Sequence, residues 1–257
     1  MSHGRLRGAV LAVIIIACLA VQCSVSVSGL VVGERMSYVV QLAGIPVGEQ
    51  LVAVSEELLP GEKKVYVLSS RTMSAGLAAL LISVDDEIEV QVDSETLFPV
   101  HVRMKFREND RQDDWAVAIE ENGSIVATVR NLKQDTVREE VLPRRPLDLL
   151  SLIYWAREQE LRVGQTYNVL LLDPSDAEFR DIVFRVDREE IAYTYMGQFP
   201  ALVCYREGEE QSISVWFSDD EKHVPLYVEI ETPTGVFTAV LKGVYPDLRT
   251  GVPQLQQ

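Results

Sequence analysis

PLDLLSLIYWAREQEL, residues Pro146 to Leu161, decides how the rest of the chain is read. From Leu149 to Ala156 only Ser151 is polar, so at about 100° per residue apolar side chains point in nearly every direction around a helix axis. Such a helix has to be covered. Pro146 ends whatever precedes it, and Asp148 stands where a carboxylate can accept from the orphan N–H groups of the first turn. Arg157, Glu158, Gln159 and Glu160 form a polar end expected to emerge toward solvent, and Gly164 follows as a stop. Leu150, Ile153 and Tyr154 are the candidates for one wall of an apolar cavity.

Working outward from this helix, both flanks are patterned as strands. Met36, Tyr38, Val40 and Leu42 alternate with Ser37, Val39 and Gln41, a period of two. Ala43-Gly44-Ile45-Pro46 reads as a turn, Val47 to Glu56 as a strand, and Pro60-Gly61 as the turn into Lys64 to Ser70. The Ala and Leu content of Met73 to Ile82 favours a short buried helical turn, weakened by Gly76. Ile88, Val90 and Val92 alternate with Glu87, Glu89 and Gln91, and the strand from Phe98 carries a basic row of His101, Arg103, Lys105 and Arg107. The basic row is expected to pair with the acidic one, since Asp93 to Leu97 suits a hairpin. Trp115 to Ile119, Ile125 to Val129 and Thr136 to Val141 follow, with Asn122-Gly123 as a two-residue hairpin signal.

Strand patterns resume at Tyr167 to Leu172, Ile182 to Val186, Ile191 to Tyr195, Ala201 to Tyr205, Ile213 to Phe217, Val224 to Ile230 and Val236 to Leu241. Strands on both sides of one helix imply a mainly β fold. The expectation is a curved antiparallel sheet or open β-barrel of about a dozen strands wrapped around one central helix.

Residues 1–28 have the three regions of a secretory signal: Arg5 and Arg7, an apolar core from Ala9 to Val21, then small residues. The core falls short of the roughly 18 to 20 apolar residues of a spanning helix. Ser26 and Ser28 suit cleavage before Gly29, giving a soluble periplasmic protein with no transmembrane span. The competing route reads Ile15-Ile16-Ala17-Cys18 as a lipobox, in which lipidated Cys18 anchors the chain to a membrane surface. Residues 29–257 then form a single β-rich domain, with its core at 34–245 and a short C-terminal tail.

Without Arg5 and Arg7 the mature chain carries 22 basic and 39 acidic residues, a net charge of −17. A polyanion of this size repels nucleic acid and anionic lipid at long range. Cysteine usage adds no disulfide, because outside the leader only Cys204 remains, within an apolar strand where a thiol acts as a small hydrophobe.

Three stretches carry a family resemblance: YVVQLAGIPVG at Tyr38 to Gly48, LDLLSLIYWAREQELRVGQTY at Leu147 to Tyr167, and WFSDDEKHVP at Trp216 to Pro225. Together they resemble the exported bacterial family catalogued as domain of unknown function 3108 (DUF3108), over about Glu34 to Leu241. The resemblance implies an envelope location and a β-rich fold, and brings no activity or catalytic residues with it.

Residues able to do chemistry gather once. Ser218, Asp219, Asp220, Glu221 and His223 link two strands. A hydrolase would need His223 oriented toward Ser218, but no nucleophile elbow or oxyanion signature accompanies them. A cation site could use the carboxylates, but the acids are consecutive and lack EF-hand spacing. An acidic turn is the favoured reading. No dinucleotide or phosphate loop and no HxxxH or CxxC spacing occurs, so no cofactor and no metal is expected. The aromatics Tyr193, Tyr195, Phe199, Tyr205, Trp216 and Phe217 could line a cavity, with plain core favoured for each. The expected function is therefore non-enzymatic: binding a lipid, a lipoprotein acyl chain or a similar hydrophobic ligand in the concavity of the sheet. The alternative is a structural or assembly factor holding another envelope protein, and the outlying one a hydrolase at Ser218 and His223.

Overall fold

The computed structural model describes residues 30–206, 212–232 and 235–245. The expected signal segment and cleavage site, Cys18 and the expected C-terminal tail lie outside the described residues. In chain order the elements are β1 (Arg35–Leu42), β2 (Ile45–Leu59), β3 (Lys63–Ser74), β4 (Asp85–Asp93), β5 (Pro99–Glu108), β6 (Arg111–Glu121), β7 (Ile125–Asn131), β8 (Thr136–Leu142), β9 (Pro146–Asp148), α1 (Leu149–Arg157), β10 (Thr166–Leu172), β11 (Phe179–Thr194), β12 (Gly197–Arg206), β13 (Ser212–Ser218), β14 (Pro225–Thr232) and β15 (Gly235–Tyr245).

All fifteen strands of the described residues lie in one sheet, ordered β8 through β1 and then β15 through β9. Each half is an antiparallel meander, and the two halves join where β1 pairs antiparallel with β15. The exception is β9, parallel to β10. Its direction follows from connectivity, because parallel neighbours need a crossover and α1 is that crossover. The edges, β8 and β9, are consecutive in sequence, so the sheet curls almost to closure. Arginines reach over the remaining seam: Arg138 donates to the Ala177 carbonyl and pairs with Glu178, Arg144 pairs with Asp181, and Arg145 pairs with Glu121.

Turn chemistry sets the hairpins. Ala43 and Gly44 both have positive φ (50° and 79°), as a two-residue turn matched to strand twist requires. The Asn122-Gly123 connection is longer than expected, because Glu121 opposes Ile125 and three residues lie between them. The opposed charge rows do pair across strands: Glu87 lies opposite Lys105 and Glu89 opposite Arg103, with Lys105 Nζ 3.2 Å from Glu87. The two strand patterns around Ile182 and Ile191 belong to one long strand, β11, continued through a bulge between Val186 and Arg188.

The helix is shorter than its apolar pattern, since Pro146 to Asp148 is used as strand β9. Asp148 caps it, accepting from the Leu150 and Ser151 N–H groups, while Ser151 Oγ accepts from the Asp148 N–H. Both sides are covered. Leu150 and Tyr154 join a cluster with Met36, Val52, Leu68, Val90 and Met104 of β1 to β5, whereas Leu152 and Ala156 join one with Leu171, Phe184, Leu202, Cys204 and Phe217 of β10 to β13.

Two expectations need correcting. Arg157 does not emerge: it is 3% exposed, while Glu158 and Glu160 do face solvent. The stretch Met73 to Ile82 is neither buried nor properly helical. β3 runs on to Ser74, a 3-10 turn spans Ala78–Leu80, and Leu77, Leu80 and Leu81 stand out in solvent. The loop projects past the rim of a barrel whose interior is already filled by α1 and the strand faces.

Cys204 is fully buried, and burial pushes its thiol up to about 12. The thiol should ignore a disulfide-exchange reagent in the native protein at pH 8 and react only on unfolding. With its folded pKa raised, its stabilising contribution is whole below the unfolded value of about 8.5 and lost as pH rises toward 12.

Candidate functional site

The proposed cavity wall on α1 is split by helical geometry. Leu150 and Tyr154 share one face, while Ile153 is half-buried against the second cluster. Both partners on the first face are buried, Tyr154 completely. Beside Tyr154 lies a group that sequence reasoning missed. The Arg157 guanidinium makes a two-pronged bond to Glu34, at 2.6 and 3.0 Å, and its Nε donates to the Lys222 carbonyl. It sits 5.1 Å from the centre of the Tyr154 ring, and the Tyr154 hydroxyl has no hydrogen-bond partner. Burial pushes both the Tyr38 and Tyr154 phenols up, so both are neutral at pH 7. The spacing of Leu150, Tyr154 and Arg157, i, i+4 and i+7, was the available signal that Arg157 lies on a buried stripe.

The acidic link is built as a turn. Asp220 Oδ1 accepts from Ser218 Oγ at 2.9 Å and from the Lys222 N–H, and Ser218 Oγ accepts from the Val224 N–H. His223 takes positive φ (43°), and its Nδ1 lies 3.3 Å from the Arg157 carbonyl. Asp219 and Glu221 are exposed. Among the described residues, no group of three or more His, Cys, Asp or Glu is arranged to hold a metal ion. The turn thus fastens the end of α1 to the β13–β14 connection.

A concave site forms elsewhere, on the face of β11 to β14 opposite the one that packs on Leu152 and Ala156. Strand alternation dictates it. Phe217 packs in the cluster with Leu152 and Ala156, so its neighbour Trp216 lies on the other face of the strand, where it belongs to the first cluster. Register then lines Arg188, Val203, Trp216 and Tyr227 in one row across the strands, and Arg185, Tyr205, Ser214 and Glu229 in the next. The β11–β12 hairpin bends over this face. Its tip is held by the Tyr195 N–H donating to the Leu241 carbonyl and by Gln41 Nε2 donating to the Tyr195 hydroxyl.

The result is a groove of about 650 Å³ lined by Tyr193, Tyr205, Trp216 and Tyr227, with charged residues of both signs. Trp216 packs edge-on against Tyr227, centroids 4.8 Å apart, and Arg188 lies 5.9 Å from the Trp216 ring. Both arginines are already paired: Arg185 with Asp187, and Arg188 with Asp187 and Glu190. Glu229 and Glu231 contact only the hydroxyls of Tyr227 and Ser212 among the described residues. The uncompensated charge of the groove is therefore negative. Of the aromatics noted from sequence, Tyr193, Tyr205 and Trp216 line the groove and Phe217 is core. Tyr227, Glu229 and the two arginines were missed because only strand register brings them together.

Fold and site define a nearly closed, barrel-like β protein with a helix-filled interior and an aromatic groove on its outer face. The chain belongs to the family described as Protein of unknown function (DUF3108), whose profile matches residues 37–242. No curated protein matches it. Among solved structures it is similar to the crystal structure of a beta-barrel-like protein of domain of unknown function DUF1849 from Brucella abortus. The TM-score is 0.55 and the identity 12%, covering 84% of this chain and 98% of that one. At that identity the likeness concerns the fold.

Proposed function

We propose that this chain is an exported, non-catalytic envelope protein that binds an amphiphilic, lipid-like molecule, whose amine-bearing polar head sits in the outer groove. The observation that carries the reading is the convergence of Trp216, Tyr205, Tyr227 and Tyr193 with the uncompensated carboxylates of Glu229 and Glu231. Aromatic faces beside carboxylates attract ammonium groups, and Arg185 and Arg188 can exchange their carboxylate partners for a phosphate. A zwitterionic phosphoamine head meets both demands. The apolar part of the groove lining, Ile191 and Ala192, takes the start of a chain.

Dodecylphosphocholine below its micellar concentration is a suitable probe. Titration calorimetry should give saturable binding that weakens about tenfold or more in Glu229→Gln, a change at a half-buried position that leaves the fold intact. Equal affinity in wild type and variant would refute the groove. An assembly role draws on a different feature, the edge strand β8 with its exposed Val137 and Val141. Crosslinking from position 137 in cells should capture an envelope protein if that role is right and none if it is wrong.

A further inference from the structure

The loop between β3 and β4 is an apolar surface that the groove reading does not use. From Thr72 to Val84 no residue is charged, in a chain where a quarter of residues are. Leu77, Leu80 and Leu81, spaced i, i+3 and i+4, are 82%, 80% and 83% exposed. Ile45, on the neighbouring β1–β2 hairpin, and Met73, at the end of β3, extend the apolar surface. The patch is not frayed chain. The Leu80 N–H donates to the Leu77 carbonyl, and the Leu81 and Ile82 N–H groups donate to Ala78. The loop base is tied down by Ala75 N–H to the Val47 carbonyl and Ser83 N–H to Asn109 Oδ1.

We infer that this loop docks the protein on a zwitterionic lipid bilayer, with the three leucines entering the boundary between headgroups and acyl chains. Three features select a bilayer. The N–H groups of Leu80, Leu81 and Ile82 already have partners inside the loop and can leave water without becoming unpaired. The cationic side chains nearest the loop are neutralised, Arg71 and Arg107 by Asp85 and Lys105 by Glu87. With the chain strongly acidic overall, anionic lipid is disfavoured and a neutral surface is not. A second copy of the chain is a poorer occupant, since a stable protein interface needs roughly 20–30 residues a side and this loop presents only its tip. Shallow insertion, about 5–10 Å, needs no more than such a tip.

The test uses the full chain as exported and large vesicles of phosphatidylcholine. Wild-type protein should float with the vesicles, and Leu80→Glu combined with Leu81→Glu should lower the bound fraction at least tenfold while melting like wild type. In a separate Leu80→Trp variant, indole emission should shift to the blue on adding vesicles. Because phosphatidylcholine carries the head the groove is proposed to take, the comparison is repeated in a Glu229→Gln background, where the glutamates at 80 and 81 should cause the same drop, so loss of the groove and loss of the docking surface are told apart. The inference is overturned by wild-type protein that does not float, by flotation insensitive to the glutamates, or by a drop that vanishes in the Glu229→Gln background. It is equally overturned if, without lipid, the chain forms a dimer that the glutamates abolish.

Discussion

Glu34→Ala is expected to destabilise the protein by about 3–5 kcal/mol, the cost of leaving a buried charge without its partner. The Arg157 guanidinium is almost wholly enclosed, and Glu34 supplies both of its short contacts. Its remaining partner, the Lys222 carbonyl, is neutral and cannot replace the lost charge. For a domain of this size the loss lowers Tm by roughly 6–20 °C. Arg157→Ala should cost a similar amount, for the mirror-image reason. The double variant Glu34→Leu with Arg157→Met should regain most of the loss, because removing both charges removes the desolvation cost too. Thermal melts of the four proteins check this. A double variant as unstable as either single one would mean that the pair itself holds the β1 entry against the helix.

Tyr154→Ala should be comparably damaging, about 3–5 kcal/mol, because Tyr154 is fully buried between the helix and the strands of the first half. Tyr154→Phe should change stability by less than about 1 kcal/mol, since the hydroxyl it removes has no hydrogen-bond partner. This pair of variants reads out what the side chain is for. A ring that fills space tolerates the loss of its oxygen but not of its volume. If Phe were as harmful as Ala, an unrecognised polar role for the hydroxyl would follow.

Local patterning disclosed the elements well, for a definite reason. An alternation such as Met36-Ser37-Tyr38 survives into the structure because one face of β1 meets the filled interior and the other is more open to water. The all-round apolar character of Leu149 to Ala156 likewise required cover on every side, which the two clusters provide. What stayed hidden depends on pairing between distant residues. Glu34 and Arg157 meet across 123 positions of the chain, and nothing near Glu34 marks it as a partner. Charge alone suggested that Arg157 would emerge, but its place on the stripe with Leu150 and Tyr154 buried it. The groove needs the register of β11 to β14, with its bulge after Val186, before Arg188, Trp216 and Tyr227 come into one row. Met73 to Ile82 was misplaced because hydrophobicity was equated with burial, whereas the apolar run lies beyond the sheet's rim.

The central claim is that the interior is occupied by the protein's own helix and that binding takes place on the opposite face of the sheet. Chemical-shift mapping with dodecylphosphocholine below its micellar concentration tests it most directly. Shifts should concentrate at Arg188, Trp216, Tyr227 and Glu229 and leave Leu150, Leu152 and Tyr154 unmoved. Shifts centred on those helix residues, with the groove silent, would contradict the account and return the ligand to the interior of the barrel.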